Sequence, residues 1–208
     1  MHARSITIMA DPGSIDAGIG FVRDQVMPMT QALEGFVGLS LLVDRSTGRT
    51  ITTSAWRDES TMRASDQQLR PSRQRGAEIM GGDGPQVEEW EIAVLHRDHT
   101  SAPGACVRVT WSRMTDPQQA DRAVETYRTA VLPATQELDG FCSASLLVDR
   151  DTGMSVSSVT FDSREAMERS RQQMAAMREK TMPEAGVELM EVAEFELAVA
   201  HLRVPEMA

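Results

Sequence analysis

The chain has 208 residues, of which 41% are hydrophobic and 25% charged, and its formal net charge is −10 at pH 7. This composition is typical of a globular protein. The acidic balance argues against nucleic acid or an anionic membrane surface as the main partner, because both require a dense positive surface. The longest apolar runs have the length of strands, not of membrane-spanning helices. The N-terminus lacks the apolar core of a signal peptide.

The two cysteines, Cys106 and Cys142, each lie in an apolar, strand-like run. Two such residues make neither a disulfide framework nor a metal-binding motif. We expect buried free thiols, which suit a reducing compartment. The sequence therefore predicts a cytoplasmic protein.

The predicted elements begin with a β-rich segment, "RSITIM" at residues 4–9. The dipeptide "DP" at residues 11–12 then supplies an N-cap and a proline for the first turn of a helix. Apolar residues recur at helical spacing over residues 15–33. Pro28 lies inside this helix and predicts a bend. Gly35 stands where a left-handed helix cap is expected.

A β-hairpin follows, because the apolar run "FVGLSLLV" leads through "DRSTG" into a Thr-rich segment, with Gly48 at the positive-φ position of the loop. If Arg45 pairs with Arg49, then Gly38 lies opposite Trp56. A second helix begins near "WRDESTM", and "VEEWEIAVLH" forms a long last strand. The order β-α-β-β-α-β is that of a ferredoxin-like unit.

The chain contains this unit twice. The stretch "GFVGLSLLVDRSTG" at residues 35–48 returns as "GFCSASLLVDRDTG" at residues 140–153, with ten of fourteen positions identical. We expect an offset of 105 residues to relate the two copies without a gap. The repeat predicts two domains, residues 1–97 and 105–208, joined by a linker at residues 98–104.

Both faces of the predicted sheet are apolar or carry small side chains, so each face is expected to pack against another layer of the protein. Right-handed crossovers place the two helices of such a unit on one side of its sheet. The simplest structure that buries the other side is a second sheet packed against it. The predicted fold is therefore α+β, with two tandem ferredoxin-like domains whose sheets pack face to face as an intrachain dimeric α/β barrel. Because this pseudo-dimer already supplies the partner surface, we expect a monomer.

Several features resemble the antibiotic biosynthesis monooxygenase-like (ABM) domains of the dimeric α/β-barrel superfamily. They are the kinked first helix ending in "LEGF" or "LDGF", the hairpin, the aromatic residue before "DSREAMERS" and the long last strand. The resemblance covers both halves. It implies a pocket between sheet and helices and a cofactor-independent, monooxygenase-like oxidoreductase. Such a protein acts on or binds a small apolar or aromatic molecule of the quinol type.

The resemblance gives less information about the roles of individual residues than about the fold. Trp56 is similar to the tryptophan of the family's working set, which also contains Asn, Tyr and Arg. The chain has no Asn, and its one tyrosine, Tyr127, lies on the first helix of the second half. Haem-degrading members need an iron-ligating His on a helix and a distal Asn, and neither is found. No cofactor is therefore expected.

Small side chains beside an aromatic residue predict a cavity in each half. The candidate substrate-binding residues of the two copies are Gly38, Ser40, Ser54, Trp56, Met62, Ser143, Ser145, Phe161 and Met167. No His, Cys or carboxylate group has metal-ligand spacing, so no metal is predicted.

The catalytic residues are left open, with Trp56, His96 and His201 as candidates. The two histidines end the last strand of each copy and would bound the cavity of their own half; a neutral-pH base is most often a His. The alternatives are core packing for Trp56 and half-solvated strand ends for the histidines. Three hypotheses remain: a small oxygenase, a binding module without turnover, and a structural protein that keeps only the barrel.

Overall fold

The computed structural model of the protein describes residues 1–202. The end of the second predicted domain, residues 203–208, lies outside the described residues. The strands of the first copy are β1 (His2–Met9), β2 (Phe36–Val43), β3 (Arg49–Trp56) and β4 (Gln86–Arg97). Those of the second copy are β5 (Cys106–Met114), β6 (Phe141–Val148), β7 (Met154–Phe161) and β8 (Val187–Leu202).

The helices of the first copy are α1 (Ile15–Phe21), α2 (Met27–Gln31), α3 (Glu59–Ala64) and α4 (Asp66–Met80). Those of the second copy are α5 (Ala120–Thr126), α6 (Leu132–Gln136), α7 (Arg164–Arg169) and α8 (Arg171–Ala185). Hydrogen bonds order the strands as β1-β3-β2-β8-β5-β7-β6-β4, which closes into a barrel. The predicted α+β class, with ferredoxin-like element order and a barrel of strands, is confirmed.

The bend predicted at the helix proline takes the form of a π-helical turn. In the first copy this turn is Val22–Val26, and in the second it is Tyr127–Val131. Pro28 has no N–H to donate, and its ring would crowd the carbonyl four residues back. The preceding N–H, that of Met27, reaches five residues back to the carbonyl of Val22. The wider turn thus accommodates the proline and joins α1 to α2.

The chain divides into two compact units. Among the described residues, the first comprises Met1–Trp90 together with residues 196–202, and the second comprises Glu91–Phe195. Strands β4 and β8 each belong to both units: the last residues of β4 pair with β6, and the last residues of β8 pair with β2. The domain limits of 1–97 and 105–208 taken from the repeat stay a prediction.

The β2–β3 hairpin is one residue out of the expected register. Asp44 donates its backbone N–H to the carbonyl of Arg49, and Asp44, not Arg45, closes the loop. Leu41 therefore pairs with Thr52. A bulge near the start of β2 then places Phe36 opposite Trp56 and Gly38 opposite Ala55. The expected pairing of Trp56 with Gly38 is wrong, and a one-residue slip exchanges the two faces of a strand.

The ungapped offset of 105 residues is wrong for the first strand. Arg4 pairs with Ser54 in β3, and Arg108 pairs with Val159, the counterpart of Ser54, in β7. Arg4 and Arg108 are therefore equivalent, and the offset there is 104 residues. One extra residue, at Thr115, follows β5.

These two arginines are buried and bind the same elements in each copy. Arg108 donates to Glu194 on β8 (2.7 Å) and, through Nη1, to Ser170 Oγ at the start of α8 (2.7 Å). Arg4 likewise donates to Glu89 (2.6 Å) and to the counterpart of Ser170, Ser65 (3.1 Å). A buried guanidinium needs such partners, because its unpaired charge would be costly. Each network therefore fixes the second helix against the first and last strands of its copy.

Candidate functional site

Each compact unit contains a cavity between its sheet and its helices. The cavity of the second unit is the larger of the two. Strands β5 and β7 and helices α5 and α8 supply most of the larger lining. This is the position that the ABM resemblance implies for a pocket.

Hydroxyl groups from the two central strands form the polar part of the larger cavity: Thr110, Ser112, Ser155 and Ser157. The Oγ atoms of Ser112 and Ser155 share a hydrogen bond of 2.8 Å. The walls are mainly apolar and include Val131, Leu146, Val159, Met174 and Met177. Methionine side chains adapt to the shape of a guest. The cavity thus combines an apolar enclosure with a few fixed polar groups, as small-molecule sites do.

Tyr127 places a phenol in this cavity. It is the first residue of the second π-helical turn, and turns of this kind are frequent at functional sites. Its hydroxyl donates to the carbonyl of Ser145 (3.3 Å) and lies 3.1 Å from Ser157 Oγ. Burial raises the pKa of Tyr127 to about 12, so the phenol stays protonated at neutral pH. Val22 occupies the equivalent position in the first cavity.

Arg178, on α8, is the one cation among the described residues that line the larger cavity, and none of those residues is acidic. Its Nη1 atom is buried and has no hydrogen-bond partner within residues 1–202. Burial lowers the pKa of Arg178, and the nearby charge of Arg108 lowers it further, while Glu179 acts in the opposite direction. A buried donor without an acceptor is unfavourable and favours binding of a ligand that supplies one.

In the first copy, the charge of the equivalent arginine, Arg73, is paired with a carboxylate of the same copy. Nη1 of Arg73 is likewise buried without a partner, but its Nη2 donates to Asp66 (2.5 Å). The second copy has Arg171 at the position of Asp66, and Arg171 instead donates to Glu194 (2.6 Å). The two cavities therefore share a location but differ in charge balance.

The floor of the first cavity is also less polar. Ile6 and Ile8 stand where Thr110 and Ser112 stand in the second. Among the predicted substrate-binding residues, Ser54 lines this cavity. Its hydroxyl oxygen accepts the indole N–H of Trp56 (3.0 Å), so part of its hydrogen-bonding capacity is already used.

The predicted aromatic and methionine candidates lie in the cores of their units. Trp56 and Met62 pack together, and the Trp56 ring meets Phe36 edge-on with centroids 5.9 Å apart. Phe161 and Met167 are fully buried in the core of the second unit. These four side chains do not line the described parts of either cavity.

The small residues Gly38, Ser40, Ser143 and Ser145 project from the opposite face of the sheet. Leu39 and Leu41 pack against the helices, and neighbours along a strand alternate between faces. The register slip explains why these residues do not reach the cavities, although the backbone carbonyl of Ser145 does bind Tyr127. Their role in substrate binding stays a prediction.

The two histidines lie in the unit opposite to the one expected, because β4 and β8 each continue into the other unit. His96 stacks on Phe141 and accepts from the amide of Gln136 (2.8 Å). His201 stacks on Phe36 in the first unit and lies 3.0 Å from Gln31. Neither lines the described cavities. Their catalytic role stays a prediction.

The chain has relatives in Mycobacterium tuberculosis that match over its full length. It is 56% identical over 207 residues to "Uncharacterized protein Rv2557" of strain H37Rv, covering 92% of that protein. It is 53% identical over 208 residues to "Uncharacterized protein Rv2558", covering 87% of that protein. The chain belongs to the Rv2557 and Rv2558 family. No family model matches it.

The fold of this Rv2557-family chain is similar to solved ABM-type structures. An anthrone oxidase-like protein superposes with a TM-score of 0.66, at 14% identity, over 100% of this chain and 95% of that one. A Listeria monocytogenes ferredoxin fold protein related to antibiotic biosynthesis monooxygenases gives 0.56, at 12% identity, with 95% and 94% covered. The heme-degrading enzyme LmHde of the same species gives 0.52, at 12% identity, with 94% and 99% covered. At these identities the likeness concerns the fold alone.

Helices α1 to α8, all within residues 1–202, are too short or too polar to cross a membrane.

Proposed function

We propose that the second unit binds a small aromatic molecule with an acidic oxygen, such as a phenol or an aromatic carboxylate, in the cavity beside Tyr127. The observation that carries this proposal is the buried Nη1 of Arg178, which has no acceptor in the described residues. The ligand's oxygen would supply that acceptor, and its charge would balance the guanidinium.

The rest of the lining suits the ring of such a ligand. Aliphatic and methionine side chains form the walls, and apolar contact is the main source of affinity in sites of this kind. The hydroxyls of Tyr127 and Ser157 are held by hydrogen bonds and stand ready to orient a polar substituent. This refines the expectation of an apolar aromatic guest, because Arg178 adds a preference for negative charge.

The first cavity is proposed to be the weaker site. Asp66 already provides a carboxylate for Arg73 there, so an anionic ligand would compete with an internal partner. The two copies, in this proposal, form a tandem ABM-like pseudo-dimer in which one cavity binds the ligand.

We extend the proposal to cofactor-independent oxidation of the bound ligand by O₂. Support comes from the fold shared with an anthrone oxidase-like protein and with a relative of antibiotic biosynthesis monooxygenases. Arg178 would stabilise the phenolate, the electron-rich form that reacts with O₂. One oxygen atom would enter the ring, and the other would leave as water with two substrate hydrogens. Tyr127, whose pKa is about 12, would stay protonated and would not act as the base.

The experiment compares anthracene-9-carboxylate and 1,8-dihydroxyanthrone with uncharged anthracene. Binding is measured by fluorescence titration, and turnover by O₂ uptake. We expect the acidic ligands to bind more tightly than anthracene. Arg178→Gln should weaken their binding by about tenfold to a hundredfold, the value of a charge-assisted hydrogen bond.

Arg73→Gln is the matched control, since it removes the equivalent arginine of the first copy. It should leave affinity for the acidic ligands unchanged. Equal loss in the two variants, or no binding of any probe, contradicts the binding proposal. Tight binding without O₂ consumption retains the binding proposal and contradicts oxidation.

A further inference from the structure

A second cluster of reactive side chains lies outside the cavity, within the second unit. It consists of His99, just after β4, Cys142, in β6, and Asp162, just after β7. One donor atom from each lies within 4.8 Å of the other two. His99 Nε2 lies 2.7 Å from Asp162 Oδ1. The backbone N–H of Asp98 donates to the carbonyl of Cys142 (2.9 Å), which fixes the loop to the strand.

The imidazole of His99 is already oriented as a metal ligand would be. The carboxylate of Asp98 lies 2.9 Å from Nδ1. This contact holds the Nδ1 proton and directs Nε2 toward Asp162. A carboxylate behind a histidine, on the nitrogen away from the metal, is the usual support of a metal-bound imidazole.

We propose that His99, Cys142 and Asp162 bind a divalent transition-metal ion, with zinc as the best match and Asp98 as the supporting carboxylate. Nitrogen, thiolate and carboxylate ligands suit zinc, whereas calcium and magnesium prefer oxygen ligands alone. Three protein ligands leave a fourth position for water. On binding, the ion replaces the proton on Nε2 and the proton of the thiol, and both are released to solvent.

The composition of the cluster argues for a metal over a simple ion pair. His99 and Asp162 are exposed, whereas Cys142 is buried, so an ion reaches the thiol from the solvent side of the other two ligands. A buried thiolate without a nearby positive charge is unfavourable. A bound cation would supply the charge that the thiolate needs.

The first copy has no such cluster among its described residues. Val37 stands at the position of Cys142, and Arg57 at that of Asp162. Arg57 forms ion pairs with Asp58 and Glu34. The proposed site therefore belongs to the second copy and does not depend on the cavity or on the proposed aromatic ligand.

The test uses the full chain after treatment with a chelator. Zinc is titrated in competition with a chromogenic chelator, and cobalt(II) is added separately as a spectroscopic probe. We expect one zinc ion per chain and a thiolate-to-cobalt charge-transfer band in the near ultraviolet. Cys142→Ser should abolish the band, and Asp162→Asn should weaken zinc binding by at least tenfold.

Two further variants sharpen the result. Asp98→Asn should keep the cobalt band but weaken zinc binding by about tenfold to a hundredfold, as expected for a supporting carboxylate. Cys106→Ser, at the other buried cysteine, should change neither the cobalt band nor the affinity for zinc. Absence of stoichiometric zinc binding by the unmodified chain overturns the proposal, and so does a cobalt band that persists in Cys142→Ser. Because Asp162 is exposed, its variant gives an answer even if Cys142→Ser fails to fold.

Discussion

Arg73 Nη2 lies 2.5 Å from Asp66 Oδ1, so the first copy neutralises the arginine beside its own cavity. The second copy replaces that aspartate with Arg171. A repeat needs the same helix faces and strand pairing in both copies, but not the same charges around a cavity. One substitution at this position separates a pocket whose arginine has a carboxylate partner from one whose arginine has no such partner among the described residues.

Restoring the carboxylate in the second copy should therefore remove its preference for anionic ligands. Arg171→Asp would place an acidic group where it can pair with Arg178, as Asp66 pairs with Arg73. We expect affinity for anthracene-9-carboxylate to fall by about tenfold, because the ligand must then compete with an internal partner. Fluorescence titration measures the change.

Arg171→Gln is the control for that substitution. It removes the hydrogen bonds to Glu194 without adding a carboxylate, so affinity should stay close to that of the unmodified chain. An equal loss of affinity in both variants would mean that the contact of Arg171 with Glu194, and not the charge balance at Arg178, determines ligand binding.

Tyr127 offers a test that needs no ligand. It is the one tyrosine of the chain, so alkaline ultraviolet titration reports this phenol alone. Its folded pKa of about 12 lies above the ordinary value, because burial disfavours the phenolate. The titration midpoint should lie near 12 in the folded protein and near about 10 in denaturant. Since the folded pKa is the higher one, the associated stability is present below pH 10 and is lost as pH rises toward 12.

A neighbouring variant checks the cause of that shift. The hydrogen bond from Ser157 lowers the pKa of Tyr127, in opposition to burial. Ser157→Ala should therefore move the folded midpoint still higher. A midpoint near 10 in the folded protein would show that solvent reaches the phenol, and the cavity would then be open at its floor.

The sequence was sufficient for the architecture, because hydrophobic periodicity, turn residues and the repeat all indicate the same element order. It was not sufficient for the register. Asp44 closes the hairpin in place of Arg45, and this single step moved Gly38 and Ser40 to the other face. A signal for the site was nevertheless present in the differences between copies: Tyr127 against Val22, and Arg171 against Asp66. The ligands of the proposed metal site lie 43 and 63 residues from His99, so no local spacing reveals them.

Lowering the pH should reduce the stability of the second unit, because Glu194 becomes protonated. The hydrogen bond from Arg171, with that from Arg108, holds the pKa of Glu194 at about 2 despite partial burial. A depressed folded pKa contributes stability above the unfolded value of about 4.3, and this is lost as pH falls toward 2. Chemical denaturation between pH 7 and pH 2 should show that loss.

Glu194→Gln should remove this dependence. At pH 7 we expect the variant to be less stable by about 1 to 3 kcal/mol, because Arg108 stays buried with its charge uncompensated. The difference from the unmodified chain should shrink as pH approaches 2, where Glu194 itself is protonated. A difference that stays constant with pH would mean that packing, and not charge, is what the glutamate contributes.

The role of Trp56 is decided by comparing stability with binding. Its side chain is fully buried against Met62 and Leu69, and Ser54 accepts its indole N–H. Trp56→Ala should therefore destabilise the protein by about 3 to 5 kcal/mol, as large-to-small core substitutions do. Trp56→Phe, which introduces the residue of the second copy, should destabilise the protein less, because an aromatic ring is kept and mainly the hydrogen bond is lost.

Affinity of the folded Phe variant for anthracene-9-carboxylate should not change, since the proposed ligand binds in the other unit. Loss of binding at full stability would instead assign Trp56 to the pocket, as the ABM resemblance suggests.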